Sequence, residues 1–248
     1  KPGGLRRFGL DYDTVKERND AIIYCSISGF GSAEGASLPG YDLIVQAMSG
    51  LMSLTGDPDG PAYRAGISVF DVMAGLHSTV GILAALAHRS TTGEGQHIEI
   101  SLLASAMSGL VNQTSAYVTG GVTPHRMGNA HPSLFPYEPL PTADNDLIIT
   151  AGNDAQFRKL VGVLGVPELA DDPRFAKNAD RTERREELMA DEESIGGCRQ
   201  IRWLIERASR ERISLVPRGF CRVTSICLPS RMITVSAGRV ARFVVSPG

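Results

Sequence analysis

The sequence predicts an α/β fold, and three observations carry that prediction. Residues 21–28 (AIIYCSIS) form a β-branched and aromatic run closed by Gly29-Phe30-Gly31, which reads as a buried strand feeding a loop. Residues 71–89 (DVMAGLHSTVGILAALAHR) are apolar with helical spacing and end in basic groups before Ser90-Thr91-Thr92-Gly93. From 96 to 103, His97, Glu99 and Ser101 alternate with Ile98, Ile100 and Leu102, the period of a strand covered on one face. Loops that leave strands in this order face ligand in open α/β sheets.

The remaining elements follow from punctuation. Residues 42–50 have helical periodicity, and 58–66 are a polar loop broken by Gly and Pro. Asp71 reads as the N-cap of the long helix, and catalytic carboxylate is the rival reading for it. That helix should be about 28 Å long at ~1.5 Å per residue. Its small residues Ala74, Gly75, Gly81, Ala84 and Ala85 permit close packing in a core. His77 and His88 are too far apart on it to share a metal and read as packing or surface groups. Glu99 is either a site carboxylate or a solvated strand residue. A second helix is expected from near Ser105 to about Val118, followed by a proline-rich loop from Thr123 to Pro141. Loops this long usually serve function or are disordered, which makes Asn129 and His131 candidate ligand contacts. Residues 147–151 read as a strand, Asp154 as the cap of a helix over 155–164 stopped by Gly165, and 167–190 as a loop and a charged helix. The organisation expected is a large α/β unit over 1–120, a linker and part of a smaller unit over 121–190, and a tail over 191–248.

Composition narrows the function classes. The 248 residues are 42% apolar and 21% charged with a net charge of −2, which describes a globular protein with no overall field for nucleic acid or an anionic membrane. That average hides a split: residues 1–190 hold 15 basic and 22 acidic groups, and 191–248 hold 10 basic, all Arg, and 5 acidic. The tail also holds three of the four cysteines and lacks a sustained period apart from an Arg-rich helical stretch at 200–212. It therefore reads as atypical, either out of frame or poorly ordered. Cys25 stands far from the other cysteines, which argues against a disulfide scaffold and for a reducing cytoplasm. No metal is expected, because Cys221 and Cys227 lack partners for a zinc set. Apolar stretches are broken before about 18 residues, so no membrane span is expected. There is no Walker loop, dinucleotide fingerprint or nucleophile elbow. The first residue is Lys1 and not Met, so an authentic N-terminus is expected upstream.

Six stretches then share a resemblance: KPGGLRRFGLDY (1–12), IIYCSISGFG (22–31), YDLIVQAMSGLMSLTGDPDGPAYRAG (41–66), DVMAGLHSTVGILAALAHRSTTGEGQHIEISLL (71–103), RMGNAHPSLFPY (126–137) and AGNDAQFRKLVGVLGVPELADDPRFAKNADRTERREEL (151–188). Over residues 1–190 the chain closely resembles the class III coenzyme A transferases of the CaiB/BaiF type, which include formyl-CoA transferase and the alpha-methylacyl-CoA racemases. The resemblance implies a partial doubly wound large domain plus part of a smaller α+β domain, with the N-terminal portion missing. It further implies an interlocked homodimer when full length, an acyl-CoA and a small carboxylic acid as partners, and coenzyme A as substrate with no permanently bound cofactor.

In that family an aspartate takes the acyl group as a mixed anhydride and then carries CoA as a thioester. The family pattern GQ-x-I-x-x-x-LLD aligns its aspartate with Ala104, so the chain as written is expected to lack turnover. Arg7 matches an arginine near the CoA phosphates, and Ser28, Gly29, Phe30 and Gly31 match the loop lining the thioester, with the Gly29 N–H as an oxyanion donor. Two alternatives stay open. An epimerase would need its general base at Tyr41, in Gly40-Tyr41-Asp42, together with Asp71. A truncated remnant would bind CoA weakly without catalysis.

Overall fold

The computed structural model describes residues 1–140, 147–189, 231–236 and 239–243. The chain divides into two units, Lys1–Gly128 and Asn129–Gly248.

The first unit opens with a short helix α1 (Tyr12–Lys16), capped by Asp11, whose carboxylate accepts from the Thr14 hydroxyl at 2.9 Å. Strand β1 (Ile23–Ser28) follows, then helix α2 (Asp42–Met48) within the expected helical stretch 42–50, and a further short helix α3 (Leu51–Leu54) that was not expected starts past Gly50. Gly50 adopts a positive φ of 89°, a left-handed conformation that ends one helix and starts another. Helix α4 (Val69–Thr92) returns the chain to strand β2 (Gln96–Ser101), which pairs with β1 in parallel. Ser28 lies opposite Ser101 in that register, so both strands end at one level. Val45, Phe70, Ala74, Leu102 and Ala106 form the buried core between these elements.

Helix α4 corrects two expectations. It starts two residues before Asp71, and Ser68 at its N-cap makes no side-chain bond. The cap is supplied from a distance: the buried carboxylate of Asp42 accepts from the Phe70 N–H at 2.8 Å and the Asp71 N–H at 3.3 Å. Gln46, also buried, donates to Asp42 and to the Ile67 carbonyl and accepts from the Ala65 N–H, so one pair of side chains holds the whole approach to α4. The second correction concerns apolarity. The helix is 24 residues long and apolar enough to cross a membrane by length and composition, because its Ser, Gly and His residues do little to lower the mean hydropathy of 1.6. Here it packs on β1, β2 and α5 (Leu102–Gly109), burying Phe70, Ala74, Ser78 and Ala85 and exposing Val72, Leu76, Val80 and Leu83.

The helix expected from Ser105 to Val118 is also two helices, α5 and α6 (Val111–Gly120), which start earlier and break at Leu110. Ser101 explains the early start, since its hydroxyl accepts the Ala104 N–H at 3.1 Å and caps α5 directly at the end of β2.

The second unit holds a four-stranded sheet in the order β3 (Tyr137–Leu140), β4 (Leu147–Thr150), β5 (Arg231–Ser236), β6 (Arg239–Phe243). Strands β3 and β4 are antiparallel, β4 and β5 parallel, and β5 and β6 antiparallel. Strand β3 lies inside the stretch expected to be loop, where Pro136 and Pro139 mask a short strand. Helix α7 (Asp154–Leu164) is capped by Asn153, not Asp154, through the Gln156 N–H at 2.9 Å. Helices α8 (Asn178–Glu183) and α9 (Arg185–Met189) follow. Most of the tail, with the Arg-rich stretch and the Cys198, Cys221 and Cys227 sulfurs, lies outside the described residues; its described parts are the backbones of β5 and β6.

Arg181 pins this unit. Fully buried, it donates from Nε to the Phe135 carbonyl (3.0 Å), from Nη1 to the Phe175 and Ala176 carbonyls (2.7 and 3.1 Å) and from Nη2 to Asp154 (2.8 Å). Its guanidinium also lies 4.2 Å from the centre of the buried Phe157 ring. Replacing it with Met should orphan buried carbonyls and cost about 3 kcal/mol or more in urea unfolding. Arg158→Met, which removes an exposed ion pair to Asp171, should cost under about 1 kcal/mol. Equal losses would contradict the pin.

Candidate active site

The site forms where the two parallel strands end. After β1 the chain turns through Gly29-Phe30-Gly31, and after β2 it passes straight into α5. The Leu103 N–H donates to the Gly29 carbonyl at 3.0 Å, tying one exit to the other. The Gly31 N–H donates to Ser28 Oγ at 3.1 Å, and Gly31 holds a positive φ of 86° that suits glycine. Gly29 is required by contact: a Cβ there would stand 2.3 Å from the Gly40 Cα, and a Cβ on Gly40 would meet Gly29 in turn. The strand-exit loop and the segment leading into α2 therefore touch backbone to backbone.

A cavity of about 580 Å³ opens over these ends. Ser28, Gly31, Ser101 and Ala104 line it at the strand exits, with the Ala104 methyl exposed in the first turn of α5. Along the sheet its lining includes Ser26, His97 and Glu99, with Tyr12 and Tyr24 beside them. His97 stacks on Tyr12 with ring centres 4.5 Å apart, meets Tyr24 edge-on at 5.4 Å, and sets Nε2 2.9 Å from Ser26 Oγ. A second cavity of about 290 Å³ is lined by Gly29, Phe30, Gly31, Gly40, Leu102 and Asp71, among others. Desolvation, and then the charge of Asp42, push the Asp71 carboxyl above its ordinary range.

The residues expected at the site are thus divided among four places. Ser28, Gly31 and Ala104 share the larger cavity; Gly29 and Phe30 join Ser28 and Gly31 in the smaller. Arg7 lines neither, its guanidinium resting 4.6 Å from the centre of the Phe8 ring, while Arg6 lines the larger. Asn129 and His131 belong to the second unit. There Asn129 is exposed, and His131 accepts the Ser133 N–H on Nδ1 at 3.0 Å and meets Tyr137 edge-on. Burial, and then the nearby Arg185 charge, hold the His131 imidazole below its ordinary value.

Sequence reasoning missed Ser101 as the cap, Asp42 as the clamp, and the ring cluster around His97. Only Ser101 had a local signal, since Asp42 acts on the Phe70 and Asp71 N–H groups far along the chain and Tyr12, Tyr24 and His97 meet through strand register. The His77 Nδ1 lies 2.9 Å from Ser105 Oγ, which gives this histidine a polar partner behind the site. Among the described residues no three His, Cys, Asp or Glu side chains gather to hold a metal ion, and Cys25 is a free thiol.

The profile of CoA-transferase family III matches residues 1–215 of this chain. The chain belongs to that family. The match runs beyond the change in charge near residue 191. Among curated family III relatives, a succinate–glutarate CoA-transferase of Agrobacterium fabrum is 48% identical over 189 residues, 76% of this chain and 47% of that protein. An acetyl-CoA:oxalate CoA-transferase of Acetobacter aceti is 41% identical over 192 residues, 77% of this chain and 49% of that one. The solved structure of a CaiB/BaiF family protein from Brucella suis superposes with a TM-score of 0.61 at 45% identity, over 75% of this chain and 50% of that chain. This family III chain spans about half the length of the curated relatives it matches.

The close approach of Gly29 and Gly40 makes a signed prediction. Gly29→Ala should destabilise the family III chain by on the order of 1–3 kcal/mol through steric overlap. Gly75→Ala, in the open on α4, should stabilise it by up to about 1 kcal/mol through helix propensity. Urea denaturation of both variants checks the pair, and a neutral Gly29→Ala would refute the packing role.

Proposed function

We propose that this chain carries the thioester-handling site of a CoA transferase, which moves coenzyme A between an acyl-CoA and a small carboxylic acid, and that Ala104 stands at the acyl-accepting position. One observation carries the reading. Ala104 is exposed in the first turn of α5, on the wall of the 580 Å³ cavity and directly after the strand pair whose exits are tied together. A carboxylate at that point would face the cavity with its backbone N–H already held by Ser101.

The chemistry needs an oxygen nucleophile whose acyl adduct is itself reactive. A carboxylate meets that need, and an alanine methyl does not. In this reading the unmodified chain binds CoA thioesters without efficient turnover. Ser28 and the Gly29–Gly31 loop flank the thioester, and Arg7 reaches the CoA phosphates. Coenzyme A enters as substrate and not as a resident cofactor. The names of the relatives, which include succinate, glutarate and oxalate, favour a small dicarboxylic acid. The reading extends to an interlocked homodimer in the cytoplasm that does not engage nucleic acid or membrane. Asp71, raised in the smaller cavity, favours epimerase chemistry as a second reading, but Tyr41 is a poor base at neutral pH.

Ala104→Asp tests the first reading. With succinyl-CoA and glutarate, the variant should exchange CoA at least about 10³-fold faster than the unmodified chain, as the loss of a nucleophile ordinarily costs that much or more. Equal rates would remove Ala104 from the acyl-accepting position.

A further inference from the structure

Ala104 differs from an aspartate at the same place by one carboxylate group, and the space for that group opens into the cavity. The Ala104 side chain is exposed there, and its N–H is already bound to Ser101 Oγ. The Ser101 hydroxyl hydrogen has no acceptor among the described residues, so the cavity wall beside Ala104 presents a free O–H donor. Ser28 lines the same end of the cavity, and the two serines are register partners on β1 and β2. A small anion in this gap would therefore meet hydroxyl groups and an alanine methyl, with the Glu99 carboxylate farther along β2 in the same cavity and Arg6 and Lys1 in its lining to offset that charge. No side-chain carboxylate would compete for the thioester carbon at position 104.

We propose that a free one-carbon carboxylate, formate, occupies the gap beside Ala104 and serves as a diffusible acyl acceptor. This rests on the reading of Ala104 given above. A formate oxygen attacks the thioester carbonyl carbon, the carbon–sulfur bond breaks, and CoA leaves as the thiolate. The product is a mixed anhydride of formate and the acyl group. The thiolate then attacks the formyl carbon, the anhydride C–O bond breaks, and formyl-CoA and the free acid result. No oxidant, reductant or net proton is needed.

Size sets the specificity. Formate matches the missing group, whereas the methyl of acetate overlaps the Ala104 Cβ, a difference of one carbon worth about 10-fold or more in a shaped site. Because the acceptor is untethered, its rate at about 1 M should lie on the order of 10⁵-fold below that of Ala104→Asp.

The test follows formyl-CoA and acetyl-CoA by mass spectrometry, with succinyl-CoA as donor and protein-free blanks. Four proteins are compared: the unmodified chain, Ala104→Gly, Ala104→Leu and Ala104→Asp, with circular dichroism to verify that each is folded. The unmodified chain should make formyl-CoA in proportion to added formate and at least about tenfold faster than it makes acetyl-CoA from acetate. Ala104→Gly, with room for one more carbon, should bring acetate level with formate, and Ala104→Leu should abolish both. Formation of formyl-CoA by Ala104→Leu at the unmodified rate would overturn the inference, as would no preference for formate. If Ala104→Asp exchanges CoA with glutarate while the unmodified chain gives no formate-dependent product, this inference fails and the acyl-accepting position stands. If Ala104→Asp is also inactive, the reading of that position fails first.

Discussion

The hydrogen bond from the Leu103 N–H to the Gly29 carbonyl joins the ends of two strands that are separated in sequence by the whole of α2, α3 and α4. Everything at the candidate site is arranged around that joint. It exists because β1 and β2 run parallel in a register that ends them together, and because Gly29 has no side chain to keep Gly40 away. A parallel pair must be connected by a long crossover, and here the crossover is α2, α3 and α4. The crossover in turn needs a fixed starting point for α4, which Asp42 and Gln46 supply by holding the Ile67 carbonyl and the Phe70 and Asp71 N–H groups. The glycine contact, the buried carboxylate and the strand register are thus parts of one constraint. They bring Ser28, Gly31, Ser101 and Ala104 to one end of one cavity.

Within that constraint the chemistry is defined by what position 104 presents. Alternation along β2 carries His97, Glu99 and Ser101 to the cavity face, and the cap at Ser101 turns the next residues into a helix. Ala104 falls in the first helical turn, where a longer side chain would project into the cavity from a rigid backbone. Rigid presentation matters for a nucleophile, because orientation contributes a large part of the rate of acyl transfer. The family III backbone at this point is built to present a side chain, and the side chain it presents is a methyl.

Strands β1, β2 and β4 and the long helix were legible because hydrophobic period is a local signal: β2 alternates strictly, and α4 is apolar over more than four turns. What escaped was set by distant partners. Asp71 looked like a cap because it precedes an apolar run, yet the cap comes from Asp42, 29 residues earlier. At Leu110 the only mark of a break is the neighbouring Gly109, and a lone glycine in a helical pattern is often tolerated; Pro136 and Pro139 disguised β3 as loop. Ser28, Gly31 and Ala104 were found through family resemblance and share one cavity in the structure. Arg7 was placed by the same route, and its neighbour Arg6 is the one that lines that cavity. The stack of Tyr12, His97 and Tyr24 could be read only once the register was known.

On the proposed function, the reactive end of a CoA thioester is held at the exits of β1 and β2, beside Ala104. A crystal structure of the unmodified chain with coenzyme A bound tests it most directly. The CoA sulfur is expected at contact distance, about 4 Å, from Ala104 or the Ser28–Gly31 loop. Coenzyme A bound with its sulfur outside the 580 Å³ cavity would contradict it.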